Sequence, residues 1–311
     1  MSSVARPRES FGARLIKNIR QRPAIYVMLL FVVAAFIIFA YVPMGGLIIA
    51  FQKYAPRLGI AGSKWVGFKW FLEFFNDMFF FRLIRNTFTI NLLDILVGCP
   101  MPILLAVMMN ALRSRRAKAT LQTMMYLPYF ISMIVICGII SDFCARDGII
   151  NDLIAAFGGQ RTGLLNEPAA FQPIYVLSNL WQMAGWNSII YMAAMSAIDA
   201  SLYDAAYVDG CGKLRQMWHV TLPGILPTII IMLILRIGNM FTVGYEKIIL
   251  LYNPMTYETA DVISSYVYRR GIEESNFSYA TAIGLFNSVL NCVFLFAANA
   301  LSRRATEQSL W

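Results

Sequence analysis

Polar and aromatic side chains that could bind a hydroxyl-rich solute stand inside an otherwise apolar stretch, residues 174–198. They are Gln182, Trp186, Asn187 and Tyr191. Amide groups hydrogen-bond to hydroxyls and aromatic rings pack against apolar C–H faces, so this mixture suits the path of a carbohydrate. Such groups are expensive in lipid unless they face a partner or a water-filled cavity. Packing or anchoring at the membrane interface explains Trp186 or Tyr191 equally well when each is taken singly.

Charged and amide residues also interrupt three other apolar runs. Asp94 lies in one run and Arg236 in another, with Asn239 about one turn beyond Arg236. We expect the two charges to pair or to line a cavity, because an isolated charge in lipid is costly. Proton coupling is the alternative, but a lone acid and a lone base form no relay. Asn287, four residues before Asn291, either lines the solute path together with Arg236 and Asn239 or hydrogen-bonds to a neighbouring helix.

No arrangement of residues typical of catalysis accompanies these candidates in the sequence. The phosphate-binding pattern G-x-x-x-x-G-K-[ST], a nucleophile elbow and H-E-x-x-H are all absent. The single histidine, His219, and five cysteines without C-x-x-C spacing do not suit a zinc site or a disulfide framework. We therefore expect a chain that is not an enzyme and that itself binds no cofactor or metal.

The candidate residues must be positioned by membrane-spanning helices, because the chain is too apolar for an ordinary soluble domain. Of its 311 residues, 59% are apolar and 14% are charged, and the mean hydropathy is +0.60. A bilayer core about 30 Å thick needs roughly 20 apolar helical residues, and a helix satisfies its own backbone hydrogen bonds in lipid. Six runs have this length, at about 24–50, 86–111, 120–141, 174–198, 223–245 and 280–302. The predicted fold class is an all-α integral membrane protein with six transmembrane helices.

Clusters of Lys and Arg indicate how the chain is oriented in the membrane. They occur in the leader 1–23, at 113–118 and in the tail 303–311. By the positive-inside rule, these segments and both termini are expected in the cytoplasm, with a short interfacial helix near 9–21 and the transmembrane domain at 24–302. Attraction to anionic lipid accounts for the net charge of +9, so no nucleic-acid partner is needed to explain it.

Residues 199–222 form a polar segment between two apolar runs, and we expect this loop in the cytoplasm. Its most distinctive part reads LYDAAYVDGCGKLRQMWHVTLPG, residues 202–224. Asp199 is a candidate N-cap for a first short helix, Gly210 would end that helix, and Pro223 would end a second one. A short helix with small residues can pack closely against a partner surface. An ordinary solvated amphipathic loop is the alternative.

This loop resembles the EAA loop in the membrane subunits of binding-protein-dependent ABC importers. The family pattern is an acidic residue and two alanines, a glycine four positions later, nine residues, an aliphatic residue, any residue and then Leu-Pro. The matching positions are Asp204, Ala205, Ala206, Gly210, Val220, Leu222 and Pro223. The sequence departs from the usual pattern in having Asp for Glu and Val for Ile, which are both conservative changes.

Seven further segments, in order along the chain, resemble importer permeases that serve polysaccharide-derived oligosaccharides. They are YLPYFIS (126–132), WQMAGWNSIIYMAAMSAID (181–199), PGILPTIIIMLILRIGNM (223–240), GYEKIILLYNP (244–254), ADVISSYVYRRGI (260–272), SYATAIGLFNSV (278–289) and the terminal SLW. The resemblance implies the type I ABC importer permease fold in a bacterial cytoplasmic membrane. It also implies a heterodimer with a second permease, two cytoplasmic ATPase subunits that bind ATP and Mg, an extracytoplasmic solute-binding protein, and an oligosaccharide that passes between the two permeases.

In such importers the loop docks into a cleft of the ATPase, so the resemblance implies that the matching residues couple nucleotide binding to movement of the permease. The outer loops 51–85 and 246–279 would receive the binding protein. A secondary transporter or a channel for a polar solute is the alternative class. A secondary transporter is expected to have inverted repeats, broken helices and clustered coupling-ion ligands, and the sequence shows no sign of them.

Overall fold

The computed structural model describes residues 18, 20–112, 114–306 and 309–310, and this part of the chain is largely helical. The interfacial helix predicted near 9–21 lies almost wholly outside the described residues. Only one pair of very short strands occurs in the described part. The fold is therefore a set of packed helices, as an apolar chain that crosses a membrane requires.

The first part of the chain contains two long helices and several shorter elements. In order, they are α1 (Pro23–Phe51), β1 (Gln52–Lys53), α2 (Gly59–Gly62), β2 (Lys64–Trp65), α3 (Lys69–Phe75), α4 (Phe80–Asn110), α5 (Arg115–Phe130), α6 (Met133–Cys144) and α7 (Ile149–Ala156). The strands are antiparallel, with Gln52 opposite Trp65. The first fourteen residues of α1 pack little against the rest of the chain, because none of them is buried, whereas Ala50 near its end is fully buried.

The second part of the chain contains three long helices. After a 3-10 turn at Leu164–Asn166 come α8 (Pro168–Ser196), α9 (Ala200–Val208), α10 (Lys213–Gly238), α11 (Tyr245–Leu251), α12 (Tyr257–Ala260), α13 (Ile263–Tyr268) and α14 (Phe277–Thr306). A π turn, Arg269–Glu273, extends α13. In the described residues, α1, α4, α10 and α14 are long and apolar enough to span a membrane, and the bent pair formed by α5 with α6 and α7 would make a fifth span.

The sequence predicted one straight helix over 120–141, but the structure has a bend within this run. The chain bends by 96° between Phe130 and Met133. Pro128 lies in a 3-10 turn, and Ile131 and Ser132 are extended, so the helical hydrogen bonding stops there. The hydroxyl of Ser132 then caps α6. The continuous apolar run concealed this change of direction.

The predicted boundary at Pro223 is also wrong. Helix α10 begins at Lys213 and passes through Pro223 without ending, because a π turn at Met217–Thr221 immediately precedes the proline and accommodates its missing N–H. At the other end the helix stops at Gly238, so 239–245 is not part of it. The span predicted at 223–245 is therefore displaced, and the second half of the loop 199–222 belongs to α10.

Three buried clusters hold the helices together. One joins α3, α4, α13 and α14 around Phe74 and Ile283, one joins α4, α6, α8 and α11 around Ile136 and Ile248, and one joins α4, α8 and α10 around Ile225. Helix α4 contributes to all three clusters. It is therefore the element against which the other helices are positioned.

A buried carboxylate fixes the start of α4 to the connection between α12 and α13. Asp261 is fully buried, and Arg269 donates to it through Nη1 at 2.9 Å and Nη2 at 2.6 Å. Arg82 approaches the same carboxylate at 3.3 Å, and Ser265 donates to it at 2.8 Å. Asn86 donates to the backbone oxygen of Asp261 at 3.0 Å. The carboxylate is thus fully satisfied, which is the condition for a buried charge to be tolerated.

We expect Asp261→Asn to lower the free energy of unfolding by about 3–5 kcal/mol, because the change leaves two arginines beside a neutral group. Thermal unfolding of the detergent-solubilised protein measures the effect. Asp152→Asn is the matched control, since Asp152 pairs with Arg161 while 56% of its side chain is exposed. The control should cost less than about 1 kcal/mol. Equal losses in the two variants would contradict the structural role of Asp261.

Candidate functional site

Helix α9 carries three of the seven residues that match the EAA pattern, Asp204, Ala205 and Ala206. Its N-terminus is capped by Asp199, whose side chain accepts a 2.9 Å hydrogen bond from the N–H of Ser201. This hydrogen bond lowers the pKa of Asp199. Beyond the other end, Gly210 has a φ of +73°, and the next N–H, of Cys211, donates to the oxygen of Ala206 at 2.8 Å. A residue other than glycine would be strained at this turn.

The helix has one face toward its own chain and one face outward. Ala206 is buried, whereas Asp204 and Ala205 are exposed. Five large apolar side chains on α9 and the start of α10 are also exposed, and we call them the exposed apolar patch: Leu202, Tyr207, Val208, Leu214 and Trp218. Tyr207 and Val208 are 77% and 83% exposed. Several exposed apolar side chains on one polar segment are typical of a site that a partner protein covers.

Hydrogen bonds attach α9 to the start of α10. The hydroxyls of Tyr203 and Thr221 lie 3.0 Å apart, and the amide of Gln216 donates to the oxygen of Cys211 at 3.0 Å. The remaining matches to the pattern lie at this junction: Val220 is half-buried, Leu222 packs beside Ile225, and Pro223 is exposed. The turn and α10 therefore form one connected unit with α9.

Further along α10, a charged pair and an amide side chain join three helices. Nη1 of Arg236 lies 3.2 Å from Oδ2 of Asp94, and the amide of Asn179 donates to Oδ1 of Asp94 at 2.7 Å. A Cβ at Gly98 would lie 2.9 Å from Nη1 of Arg236, so glycine leaves the space that the guanidinium occupies. The pair joins α10 to α4, and Asn179 adds α8 to this connection.

Two cavities meet at Asp94. The larger, of about 370 Å³, is lined by α4, α8 and the segment 242–247, and the smaller, of about 230 Å³, is lined by α4 and α10 and includes Arg236 and Asn239. Asn91, Asp94 and Thr242 line both cavities. Polar groups therefore line the space on either side of Asp94.

Lys247 lines the larger cavity, and it was not among the site residues predicted from the sequence. Its side chain is only 2% exposed, and its Nζ lies 5.4 Å from the ring centroid of Tyr175 but has no hydrogen-bond partner among the described residues.

Lys247 lies outside the candidate spans. Burial lowers its pKa to about 8, while the nearby Cys137 and Asp94 act in the opposite direction. The ammonium form therefore predominates at neutral pH. A lysine within the apolar run KIILL was the available signal.

The predicted path residues of α8 do not meet around these cavities. Neither Gln182, Trp186, Asn187 nor Tyr191 lines either cavity of the described chain. Gln182 and Tyr191 are buried and Asn187 is half-buried, and Tyr191 packs in the cluster around Ile225.

Trp186 is 38% exposed, but one of its faces is covered. Its ring stacks on Tyr129 at 4.2 Å between centroids with an angle of 2°, and Phe130 contacts it edge-on. The bend after α5 therefore brings aromatic rings against α8. This arrangement gives Trp186 a packing role in addition to any contact with solute.

Asn239 and Asn287 lie at different places. Asn239 lines the smaller cavity and donates to the oxygen of Leu235 at 2.9 Å. Asn287 lines a groove of about 500 Å³ between α13 and α14, and its Oδ1 is buried without a partner in the described chain. Of the predicted path residues, the structure thus brings together Arg236 and Asn239.

Apolar helices of spanning length, polar cavities between them and an exposed apolar patch on a helical turn are the features of a membrane transport subunit. Residues 98–307 match the family described as the binding-protein-dependent transport system inner membrane component. The chain belongs to this family, so the family predicted from the loop is confirmed. The all-helical permease fold is likewise confirmed.

Named relatives and solved structures agree with this membership. The chain is 40% identical over 299 residues to the polygalacturonan/rhamnogalacturonan transport system permease protein YteP of Bacillus subtilis, covering 96% of this chain and 93% of YteP. It is 40% identical over 288 residues to the protein LplB of the same species, covering 92% and 91%. It resembles, with a TM-score of 0.85 and 43% identity, a chain in the crystal structure of a bacterial ABC transporter involved in the import of the acidic polysaccharide alginate. This match covers 94% of our chain and 99% of that chain.

A second crystal structure shows the bacterial alginate ABC transporter in complex with its alginate pentasaccharide-bound periplasmic protein. The match has a TM-score of 0.85 and 42% identity, and it covers 96% of our chain and 100% of that chain. Nearly the whole chain therefore has the fold of a permease that operates with a binding protein in that relative.

We expect Arg236→Met and Asp94→Asn each to lower the free energy of unfolding by up to about 3–5 kcal/mol, because each change strands the other charge. The double variant should be more stable than the worse single variant. Thermal unfolding of the three proteins measures the coupling. Arg304→Met, at an exposed arginine of α14, is the control and should change stability little. A double variant no better than the worse single would show that the ion pair does not stabilise the fold.

Proposed function

We propose that this chain is one of two permease subunits in an ATP-driven importer that carries an oligosaccharide across a bacterial cytoplasmic membrane. In this proposal the segment 202–223 couples the chain to a cytoplasmic ATPase. The observation that carries the proposal is the exposed apolar patch around Asp204 and Ala205, on a helix whose own chain covers only the opposite face. A secondary transporter or a channel, the alternative class, does not require a surface that docks onto an ATPase.

The connection from α9 to α10 gives the coupling a physical route. Helix α10 continues without interruption from Lys213 to Gly238, which is roughly 39 Å at 1.5 Å per residue. Its first turns are bonded to α9 through Thr221, and its last turn carries Arg236 beside the cavities. A displacement of α9 by the ATPase would therefore move a cavity wall directly.

The remaining parts of the proposal come from the family. A second permease would complete the path, two ATPase subunits would bind ATP and Mg, and an extracytoplasmic binding protein would deliver the solute at the outer loops 51–85 and 246–279. Helices α1, α4, α5 with α6, α8, α10 and α14 would supply six crossings. The basic leader 1–23 and tail 303–311 would both lie in the cytoplasm.

The proposed solute class follows from the relatives. Those named include transport systems for polygalacturonan/rhamnogalacturonan, for arabinooligosaccharides and for lactose, and a solved relative imports alginate. The proposed contacts with the sugar are the path residues predicted from the sequence: Gln182, Trp186, Asn187, Tyr191, Arg236, Asn239 and Asn287. Both charged and neutral sugars occur among these solutes, so the relatives alone do not determine the charge of the solute.

We expect Gly210→Val to lower solute-stimulated ATP hydrolysis and uptake by about fivefold or more. A β-branched side chain at a φ of +73° is strained by about 1–2 kcal/mol and would displace the end of α9. The assembled importer in proteoliposomes is the system in which to measure both rates.

Gly212→Val is the matched control, because Gly212 has an extended backbone, and no atom lies within 4 Å of the position of its Cβ. The control should keep both rates near those of the unchanged protein. If the Gly210 and Gly212 variants transport equally well, the turn does not transmit energy and the coupling role fails.

A further inference from the structure

The larger cavity contains a cation without a partner. Nζ of Lys247 is buried, and no hydrogen bond or salt bridge to it occurs in the described part of the chain. A buried ammonium normally has a counter-charge, because its loss of hydration is otherwise uncompensated. The Tyr175 ring, 5.4 Å away, supplies only a cation–π contact. Lys247 thus has capacity to bind an anionic group.

The acidic residues of the cavity do not supply that counter-charge. Asp94 is engaged on both oxygens, by Arg236 and by Asn179. Glu246 also lines the cavity, but it is exposed and forms no salt bridge in the described chain. Among the described residues that line the larger cavity, Lys247 is the only basic one. An anion that entered this space would therefore meet the unpaired ammonium of Lys247, with Asp94 engaged by Arg236 and Asn179 and with Glu246 exposed.

The rest of the lining suits a sugar ring. Asn91 and Asn179 provide amides, Tyr175 provides an aromatic surface, and Met183 provides an apolar one. A volume of about 370 Å³ lies at the lower end of the range of about 300–1,000 Å³ for small-molecule sites. One end of an oligosaccharide would fit, rather than a long chain.

We propose that Lys247 binds the carboxylate of an acidic sugar residue in this cavity, so that the permease itself favours a uronate-containing oligosaccharide over a neutral one. The proposal rests on the proposed transport of an oligosaccharide. The acidic sugar is favoured because a neutral sugar leaves the buried ammonium without a counter-charge. A site that pairs its buried polar group with only one of two ligands discriminates strongly between them.

The test compares an α-1,4-linked galacturonate trisaccharide with its fully methyl-esterified form, which has the same ring system but no charge. Binding is measured by calorimetry on the assembled importer in nanodiscs without the binding protein, whose own selection would otherwise mask that of the permease. We expect the acid to bind at least about tenfold more tightly than the ester. Equal binding of acid and ester, or binding of neither, would overturn the proposal without the use of any variant.

Three substitutions assign the preference to one side chain. Lys247→Met should remove the preference for the acid while changing the affinity for the ester less than about twofold, and Lys247→Arg should retain a preference. Lys64→Met, at an exposed lysine that does not line this cavity, should retain the preference as well. A preference that survives in Lys247→Met would show that another group recognises the carboxylate, and would overturn the assignment.

These outcomes are separable from those of the proposed function. If the importer couples ATP hydrolysis to uptake but treats acid and ester alike, the inference fails and the transport function stands. If neither sugar stimulates ATP hydrolysis or enters proteoliposomes with the binding protein present, the proposed function fails. The thermal stability of Lys247→Met should be unchanged or higher, because the variant removes a buried unpaired charge.

Discussion

The ion pair between Arg236 and Asp94 joins α10 to α4 within apolar helices, where an isolated charge is costly. The residues around the pair are packed so that neither charge is left alone. The guanidinium lies where a Cβ at Gly98 would approach it to 2.9 Å, and the second oxygen of Asp94 accepts a hydrogen bond from Asn179. The rotation of α4, α8 and α10 about their own axes is therefore constrained at one point. Because α4 also contributes to all three buried clusters, this constraint extends to the rest of the fold.

Continuity of α10 is the second requirement, and the local sequence achieves it in an unusual way. A proline inside a helix removes one hydrogen bond and crowds the preceding turn. The π turn at Met217–Thr221 provides the extra residue that lets the chain pass Pro223 without ending. As a result, the exposed apolar patch and the cavity near Arg236 lie on one connected unit, and no flexible linker separates them.

Much of the architecture could be predicted, because long apolar runs indicate helices that lie in lipid and the loop motif identified the family. The features that were missed depend on direction or on tertiary contact. The apolar run at 120–141 carries no signal for a 96° bend, which depends on two extended residues after Pro128. Trp186 has the right chemistry for a sugar, but its stacking on Tyr129 arises only when that bend brings α5 against α8. Lys247 was assigned to an outer loop, and its burial follows from the packing of α11 against α6 and α8.

The half-buried Arg236 and the buried Lys247 differ in a way that their side-chain chemistry explains. An arginine cannot lose its proton in a protein, so a guanidinium withdrawn from water requires a permanent partner, and Arg236 has one in Asp94. A lysine can lose its proton, and burial already lowers the pKa of Lys247 to about 8. A cavity without solute therefore tolerates an unpaired lysine far better than it would tolerate an unpaired arginine. A carboxylate that entered the cavity would favour the charged form and raise that pKa again, so protonation of Lys247 and binding of an acidic sugar would each strengthen the other.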